Sequence, residues 1–243
     1  MRGFTVFPAI DLRGGKVVRL AQGDPARQTV YGEDPRAWAE RWKDEGAAWL
    51  HVVNLSGAFG EEADANWQAL ERILSVGLKV EFGGGLREKE SLRAALELGV
   101  VRVFLGTAAI QNPPLLTWAL ETYGAERIAG DIGARDGRVT IAGWQETTSL
   151  TVLEAGRFLY EQGVRWCVLT DVRRDGVGSG LNVGSAAALQ SATGLRVVAS
   201  GGVSTLEDVR RARAAGLAGV IMGRALYEGK LSLRECLSDD YDC

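Results

Sequence analysis

The chain has 243 residues and a formal net charge of −3 at pH 7, with 46% hydrophobic and 24% charged residues. This balance is ordinary for a globular chain and excludes intrinsic disorder. The slightly acidic charge argues against nucleic acid as a partner, and no run approaches the roughly 18 apolar residues of a membrane span. Glycine is abundant, with 32 residues, so we expect many tight turns or close backbone approaches to a ligand.

Short β-branched segments alternate with helical patterns along the whole chain. Strands are predicted at residues 4–11, 50–55, 78–82, 101–105, 127–132, 166–170, 196–199 and 219–222. Helices are predicted at residues 36–45, 67–76, 88–98, 114–122, 150–162, 185–192, 206–215 and 231–237. Each strand is followed by a helix, and strands that are apolar on both faces predict a parallel sheet covered by helices.

The chain also repeats itself at a separation of 117 residues. The related motifs are Gly46-Ala-Ala-Trp49 with Gly163-Val-Arg-Trp166, Gly84-Gly85 with Gly201-Gly202, and Gly106-Thr-Ala with Gly223-Arg-Ala. One offset that links three separate strand ends indicates that the second half copies the first. We therefore predict a single (β/α)₈ barrel domain over residues 1–243, with half-barrels at about 1–120 and 121–243. The length suits this fold, which typically has about 250 residues.

In a barrel of this kind the chemistry lies at the carboxyl ends of the strands. Two sets of glycine-rich strand ends are typical of phosphate cradles, because glycine lets backbone N–H groups come close to a phosphate. The sets are Gly84 and Gly85 with Gly106 and Thr107, and Gly201 and Gly202 with Gly223 and Arg224. They predict a small-molecule substrate with a phosphate at each end, although tight turns alone would also use glycine.

Two aspartates stand at predicted strand ends, Asp11 after the first strand and Asp171 after the sixth. A carboxyl group in a barrel mouth can act as a general acid or base, and we interpret the two as facing each other. The alternative for Asp11 is a loop cap. Thr170 precedes Asp171 and points the other way in a regular strand.

Two further side chains are candidates for substrate contact. Trp144, in the long loop after the fifth strand, could stack on a planar heterocycle, or it could anchor the loop by packing. Arg19 could contact the substrate, or it could form a structural ion pair.

Cysteine and histidine usage restricts the chemistry further. The three cysteines, Cys167, Cys236 and Cys243, are too few and too widely spaced for a disulfide framework or a zinc site. His51 is the only histidine, which excludes any site that needs two. The N-terminal segment has no signal-peptide pattern, so we expect a reducing, cytoplasmic location.

The chain resembles the HisA family, the phosphoribosylformimino-5-aminoimidazole carboxamide ribotide isomerases of histidine biosynthesis. The resemblance extends over essentially the whole sequence. The stretches that carry it are residues 8–20 (PAIDLRGGKVVRL), 22–24 (QGD), 83–87 (GGGLR), 106–109 (GTAA), 134–139 (ARDGRV), 143–144 (GW), 170–171 (TD), 200–204 (SGGVS) and 223–226 (GRAL).

The resemblance implies a two-fold symmetric barrel without a metal or organic cofactor. It implies an Amadori rearrangement, from aminoaldose to aminoketose, on a substrate with two phosphorylated arms. Asp11 would take the proton from C2 of the ribose, and Asp171 would protonate the ring oxygen. Trp144 and Arg19 would lie close to the substrate. Thr170 and Gly176 complete the predicted binding residues, and we expect a monomer.

The sequence departs from the family pattern at several positions. Asn54 stands where the family usually has an aspartate, and the family's carboxylate on the fifth strand falls on Gly133. Asp131 lies two residues earlier, on the same face and roughly 6–7 Å deeper, so we expect it to replace that carboxylate as the acid only if the strand shifts register. Val177 and Gly178 replace a Thr-Leu pair near the second phosphate.

These departures leave three hypotheses open. The first is the histidine-pathway isomerase. The second is the same chemistry on phosphoribosyl anthranilate, alone or in addition. The third is an inactive barrel that binds bisphosphate ligands.

Overall fold

The computed structural model describes residues 3–238 and shows a barrel of parallel strands. The strands in this part of the chain are β1 (Thr5–Arg13), β2 (Lys16–Ala21), β3 (Asp24–Gly32), β4 (Trp49–Asn54), β5 (Lys79–Gly83), β6 (Arg102–Leu105), β7 (Ile128–Arg135), β8 (Arg138–Ile141), β9 (Glu146–Thr151), β10 (Trp166–Asp171), β11 (Arg196–Ser200) and β12 (Gly219–Met222). Eight of them form the barrel, in the order β1, β4, β5, β6, β7, β10, β11 and β12. The pairing of Thr5 with Gly219 joins the last strand to the first and closes the ring. The predicted (β/α)₈ barrel is thereby confirmed.

Helices cover the outside of this barrel. They are α1 (Pro35–Asp44), α2 (Leu55–Phe59), α3 (Asp64–Leu74), α4 (Lys89–Glu97), α5 (Thr107–Gln111), α6 (Pro113–Tyr123), α7 (Val152–Glu161), α8 (Val183–Thr193), α9 (Leu206–Ala214), α10 (Arg224–Tyr227) and α11 (Leu233–Leu237). Each barrel strand is followed by one of the predicted helices, and α2, α5 and α10 are short additions at strand ends. Among residues 3–238, no helix combines the length and the apolar character needed to cross a membrane.

Two antiparallel hairpins at the mouth are not predicted by the sequence. The first, β2 and β3, follows β1, and the second, β8 and β9, follows β7. Both carry mostly polar, exposed outer strands, and β3 contains Pro25, so neither shows the apolar alternation that reveals a strand. As a result, Leu150 belongs to β9 rather than to the following helix, and Trp144 lies in the turn of a hairpin.

The barrel wall separates two packed layers, because alternate residues of a strand face opposite sides. In β1, Val6 and Ile10 pack against the helices, whereas Phe7 and Ala9 fill the barrel interior. Asp11 is next in the interior series, so β1 delivers its carboxyl group to the mouth. Large interior side chains close the space below: Phe104, Trp166, Val168, Val198 and Ile221.

Charged groups occupy the amino end of the barrel. Glu81 accepts a hydrogen bond from Arg102 at 3.1 Å and pairs with the His51 ring at 2.8 Å. The Trp166 ring lies between two guanidinium groups, with Arg102 at 3.7 Å and Arg196 at 3.6 Å from its centroid. Arg102 and Trp166 are almost completely buried. Their contacts satisfy the charges and fill this end of the barrel.

The half-barrel repeat stays a prediction, and one pair of contacts agrees with it. A Cβ atom at Gly84 would lie 2.3 Å from the carbonyl oxygen of Asn54, and one at Gly201 would lie 2.5 Å from that of Asp171. Both glycines have positive φ, 97° and 91°. The same close approach therefore occurs at positions related by the 117-residue offset, where only glycine fits.

Candidate active site

The carboxyl ends of the barrel strands surround two adjoining cavities. The central cavity is lined by predicted site residues from both halves: Asp11, Arg19, Gly84, Gly85, Gly106, Thr107, Asp131, Trp144 and Thr170. The second cavity is lined by Gly176, Gly201, Gly202, Gly223 and Arg224. Arg19, Asp175 and Ser200 line both cavities, so the two form one continuous site.

Asp11 and Arg19 form an ion pair in the wall of the mouth. Because β2 runs antiparallel to β1, Arg19 reaches back over Asp11, and its Nη1 donates to Oδ2 at 2.7 Å. Nη2 of Arg19 donates to the carbonyl of Ala9 at 2.8 Å, and the guanidinium lies over the Tyr227 ring at 5.5 Å. The alternative interpretation of Arg19 as an ion-pair partner describes its contacts, although the same side chain lines both cavities. The pair fixes the Asp11 carboxylate towards the ligand space.

Asp175 supplies a carboxyl group at the mouth of the barrel that the strand pattern of the sequence does not predict. It lies in the turn after β10, where burial raises its pKa to about 6, against the opposing effect of the nearby Arg19 guanidinium. The Asp11 charge raises the pKa further. A carboxyl group whose pKa is raised towards the physiological range suits a general acid. The Asp-Gly pair at 175–176 is visible in the sequence, but no strand periodicity places it.

Asp171 does not line the central cavity. As the last residue of β10 it belongs to the set that faces the helices, and its Oδ2 accepts a hydrogen bond from Nδ2 of Asn182 at 2.9 Å. It borders a separate pocket between the segments that follow β7 and β10. Thr170, one residue earlier, is buried and faces the central cavity. The structure therefore brings Asp11 together with Asp175 and not with Asp171.

Asp131 lines the floor of the central cavity. Its strand keeps a regular register, with Asp131 opposite Val168 in β10. The register shift that a role as the acid was expected to require does not occur, and that role stays a prediction. Gly106 leaves room beside the carboxyl group, since a Cβ atom there would lie 3.4 Å from Oδ2 of Asp131. Burial raises the pKa of Asp131 to about 6, and the neighbouring His51 partly opposes that rise.

Trp144 occupies the space above Gly133. A Cβ atom at Gly133 would lie 2.3 Å from the indole Nε1 of Trp144, and one at Gly23 would lie 2.7 Å from Cε3. The indole thus sits between the first hairpin and the end of β7, and it takes the volume that a longer side chain at Gly133 would need. Both interpretations of Trp144 fit this position, since it packs against loops and also lines the cavity.

Asn54 faces away from the mouth. It is 2% exposed, and its Oδ1 accepts hydrogen bonds from the backbone N–H of Gly57 at 2.9 Å and from Nδ2 of Asn66 at 2.7 Å. These contacts fix the first turn of α2 and the start of α3. The missing carboxylate at this position consequently removes no group from the central cavity.

The two glycine cradles lie on opposite sides of the barrel. One is at the ends of β5 and β6, the other at the ends of β11 and β12, and these strand pairs are half a ring apart. Arg224 and Lys230 bring positive charge to the second cradle, and Glu228 lies beside them. Val177 and Gly178 also border this cavity, so no hydroxyl is supplied from position 177. Within the described residues, no three His, Cys, Asp or Glu side chains are grouped as a metal site requires.

The sequence belongs to the histidine biosynthesis protein family, whose model matches residues 5–232. Similar curated proteins come from Geobacillus thermodenitrificans (strain NG80-2), 44% identical over 98% of both chains, and Bacillus subtilis (strain 168), 42% identical over 98% of both chains. Another, from Anaeromyxobacter sp. (strain K), is 48% identical over 96% of this chain and 97% of its own. Each of the three is named 1-(5-phosphoribosyl)-5-((5-phosphoribosylamino)methylideneamino) imidazole-4-carboxamide isomerase. The resemblance to the HisA family is thereby confirmed.

Proposed function

We propose that this protein is the aldose–ketose isomerase of histidine biosynthesis that acts on the bisphosphorylated aminoaldose for which its relatives are named. One observation carries the proposal. Asp11 and Asp175 border a single cavity system beside the shared Arg19, and a glycine cradle lies on either side of it. A substrate with two phosphorylated arms would extend between the cradles and bring its ribose to the two carboxyl groups.

The two aspartates divide the proton transfers. Asp175 donates its proton to the ring oxygen of the ribose, the C1–O bond breaks, and the substrate nitrogen forms a double bond to C1. Asp11 then removes the proton from C2. The electron pair of the C2–H bond forms the C1=C2 bond of an enaminol, and the pair of the C1=N double bond returns to the nitrogen. The enaminol then takes up a proton at C1 and releases the proton of its C2 hydroxyl, so that the C2 carbonyl of the aminoketose forms. The raised pKa of Asp175 supports its role as acid, and the contact with Arg19 orients Asp11 as base.

The other predicted residues are assigned around this pair. We assign the phosphates to Gly84, Gly85, Gly106 and Thr107 on one side and to Gly176, Gly201, Gly202, Gly223 and Arg224 on the other. Trp144 and Thr170 border the space between the cradles. The role of acid that the resemblance implied for Asp171 passes to Asp175, since Asp171 lies outside the central cavity.

The remaining alternatives have weaker support. Two donor groups of Arg19 are already engaged by Asp11 and by the Ala9 carbonyl, which leaves the guanidinium less free for an anthranilate carboxylate. Asn54 does not face the mouth, and Asp175 supplies a second carboxyl group to the cavity. The departures at Asn54 and Gly133 therefore do not favour an inactive barrel. A monomer in the cytoplasm stays a prediction. The two described cysteines, Cys167 and Cys236, are free thiols, as a reducing compartment allows.

A turnover assay tests the proposal. The purified protein is incubated with the histidine-pathway aminoaldose, and formation of the aminoketose is followed, with phosphoribosyl anthranilate assayed beside it. Turnover of the first substrate is expected. Binding of the aminoaldose by folded protein without turnover would instead support the inactive barrel, and turnover of phosphoribosyl anthranilate alone would support the second hypothesis.

A further inference from the structure

Arg224, which lines the second cradle, also holds the backbone of a different loop. Its Nη1 donates to the carbonyl oxygen of Gly176 at 2.6 Å, and its Nε donates to Oε1 of Glu228 at 2.5 Å. Gly176 directly follows Asp175 in the turn after β10. A side chain placed to bind phosphate therefore contacts the peptide unit next to the carboxyl group that we propose as the acid.

The turn around Asp175 is contacted from both sides. Nε2 of Gln22 donates to the carbonyl oxygen of Arg173 at 2.8 Å. The carbonyl of Asp175 accepts a hydrogen bond from the backbone N–H of Gln22 at 3.0 Å. Gly176 has a φ of 68°, and a Cβ atom there would lie 2.4 Å from the carbonyl oxygen of Leu20. The first hairpin thus supports the turn on one side. On the other side, Arg224 provides a contact that originates in the phosphate cradle.

An acidic side chain shares the cations of this cradle. Glu228 pairs with Arg224 and, through Oε2, with Lys230 at 2.8 Å, and it accepts a hydrogen bond from the Tyr31 hydroxyl at 3.2 Å. The two cations lower the pKa of Glu228 to about 2, so it is ionised at neutral pH. A phosphate dianion in the cradle competes with Glu228 for both cations. Arg224 donates a hydrogen bond to the Asp175 turn, whereas the ion pair of Lys230 is with Glu228, so Lys230 serves as a matched comparison.

We propose that Arg224 is a positioning residue that couples phosphate binding in the second cradle to the placement of Asp175. The inference rests on the proposed function. A bound phosphate fixes the guanidinium, the guanidinium fixes the Gly176 carbonyl, and Asp175 is thereby aligned with the ring oxygen. Part of the binding energy of that phosphate then appears as faster turnover rather than as tighter binding of the substrate.

The repeat-related residue on the other side has a different partner. Thr107 corresponds to Arg224 at the 117-residue offset, and its Oγ1 accepts a hydrogen bond from the backbone N–H of Ala142 at 3.1 Å. Ala142 lies in the turn that carries Trp144. The first cradle is therefore linked to the stacking side chain and the second to the acid, and only the second is expected to influence the proton-transfer step.

The test compares Arg224→Met with Lys230→Met, which removes a cation from the same cavity. Arg224→Met is expected to lower kcat roughly 10- to 100-fold, whereas Lys230→Met is expected mainly to raise KM. Two substrate analogues, each lacking one phosphate, are then assayed with millimolar inorganic phosphite. In the wild type, phosphite should accelerate turnover of the analogue that leaves the second cradle open, and this activation should be absent in Arg224→Met. Added guanidinium should partly restore kcat in that variant if its fold is intact.

Each other outcome has a distinct meaning. The coupling would be overturned if KM rose equally in the two variants, kcat were retained and phosphite did not activate the wild type. Arg224 would then be an ordinary phosphate ligand. The isomerase function would survive that result. Absence of wild-type turnover with the complete substrate would overturn the proposed function itself. If Arg224→Met fails to fold, Arg224→Lys replaces it in the phosphite assay. Phosphite should then activate the wild type more than Arg224→Lys. Lack of activation in the wild type overturns the coupling.

Discussion

Thr170 and Asp171 are neighbours in β10, yet their side chains lie on opposite faces of the barrel wall. Thr170 borders the central cavity, whereas Asp171 accepts a hydrogen bond from Asn182 in the helical layer. Successive side chains of a strand point to opposite faces, so only one of the two can line the cavity at the mouth of the barrel. The second carboxyl group of the site is supplied four residues later, by Asp175.

This relationship predicts different effects for two matched variants. Asp175→Asn should lower kcat by roughly 10²- to 10⁴-fold, because the amide cannot donate the proton needed for ring opening. Asp171→Asn should keep kcat within a few-fold of the wild type, because its amide oxygen can still accept the hydrogen bond from Asn182. Steady-state kinetics with the aminoaldose measures both. A severe loss in Asp171→Asn together with a mild loss in Asp175→Asn would reverse the assignment.

Asp11→Asn should abolish turnover while leaving ligand binding nearly intact. Removal of the base is expected to cost at least roughly 10²-fold in kcat, since the amide cannot take the C2 proton. The neutral side chain can still accept the hydrogen bond from Arg19, so the cavity keeps its shape. Calorimetric titration with the product aminoketose measures binding independently of catalysis. Joint loss of binding and of the thermal unfolding transition would show that Asp11 is structural instead.

The raised pKa of Asp175 predicts a pH-dependent stability. Its pKa is about 6 in the folded protein against a usual 3.8, so folding favours the neutral form. Ionisation therefore costs stability progressively as the pH rises from about 4 to 6, and the full cost persists above that range. Asp175→Asn removes this cost and should raise Tm at pH 8 but not at pH 4. An identical change in Tm at both pH values would contradict the shifted pKa.

The close approaches at the two related glycines predict a loss of stability. Gly84→Ala and Gly201→Ala each place a methyl group within 2.5 Å of a backbone carbonyl oxygen, in addition to straining a positive φ. Gly99→Ala is the control, because it has a positive φ of 114° but no atom within 4 Å of the added methyl group. Urea unfolding should show a larger loss for the first two, by at least about 1 kcal/mol. Equal losses for all three would mean that the carbonyls move aside freely.

Much of the barrel is predictable because its strands are buried on both faces. Apolar runs such as residues 4–11 and 219–222 mark those strands, and a helix follows each of them. Glycines at helix ends support the boundaries, since Gly46, Gly163 and Gly216 all have positive φ. The two hairpins at the mouth lack this signal, because their outer strands are exposed and need no apolar alternation.

The site is predictable where it coincides with regular strands. Asp11 and the glycine cradles follow from strand ends, and the structure places all of them around one cavity system. The choice between Thr170 and Asp171 requires the face of the strand, which a shift of a single residue reverses. Asp175 lies in an irregular turn, so only folding reveals its approach to Arg19. The space beside Asp131 depends on Gly106 at the end of the neighbouring strand β6, a contact between strands that no local pattern records.

The two guanidinium groups that pack against the Trp166 ring determine how substrate enters the barrel and how product leaves it. Arg102 and Trp166 are almost fully buried, and with Arg196 they close the amino end of the barrel among residues 3–238. Substrate and product therefore use the same opening, at the mouth that holds Asp11. Each product molecule has to leave before the next substrate can bind, so the rate of product release through this opening sets an upper limit on kcat.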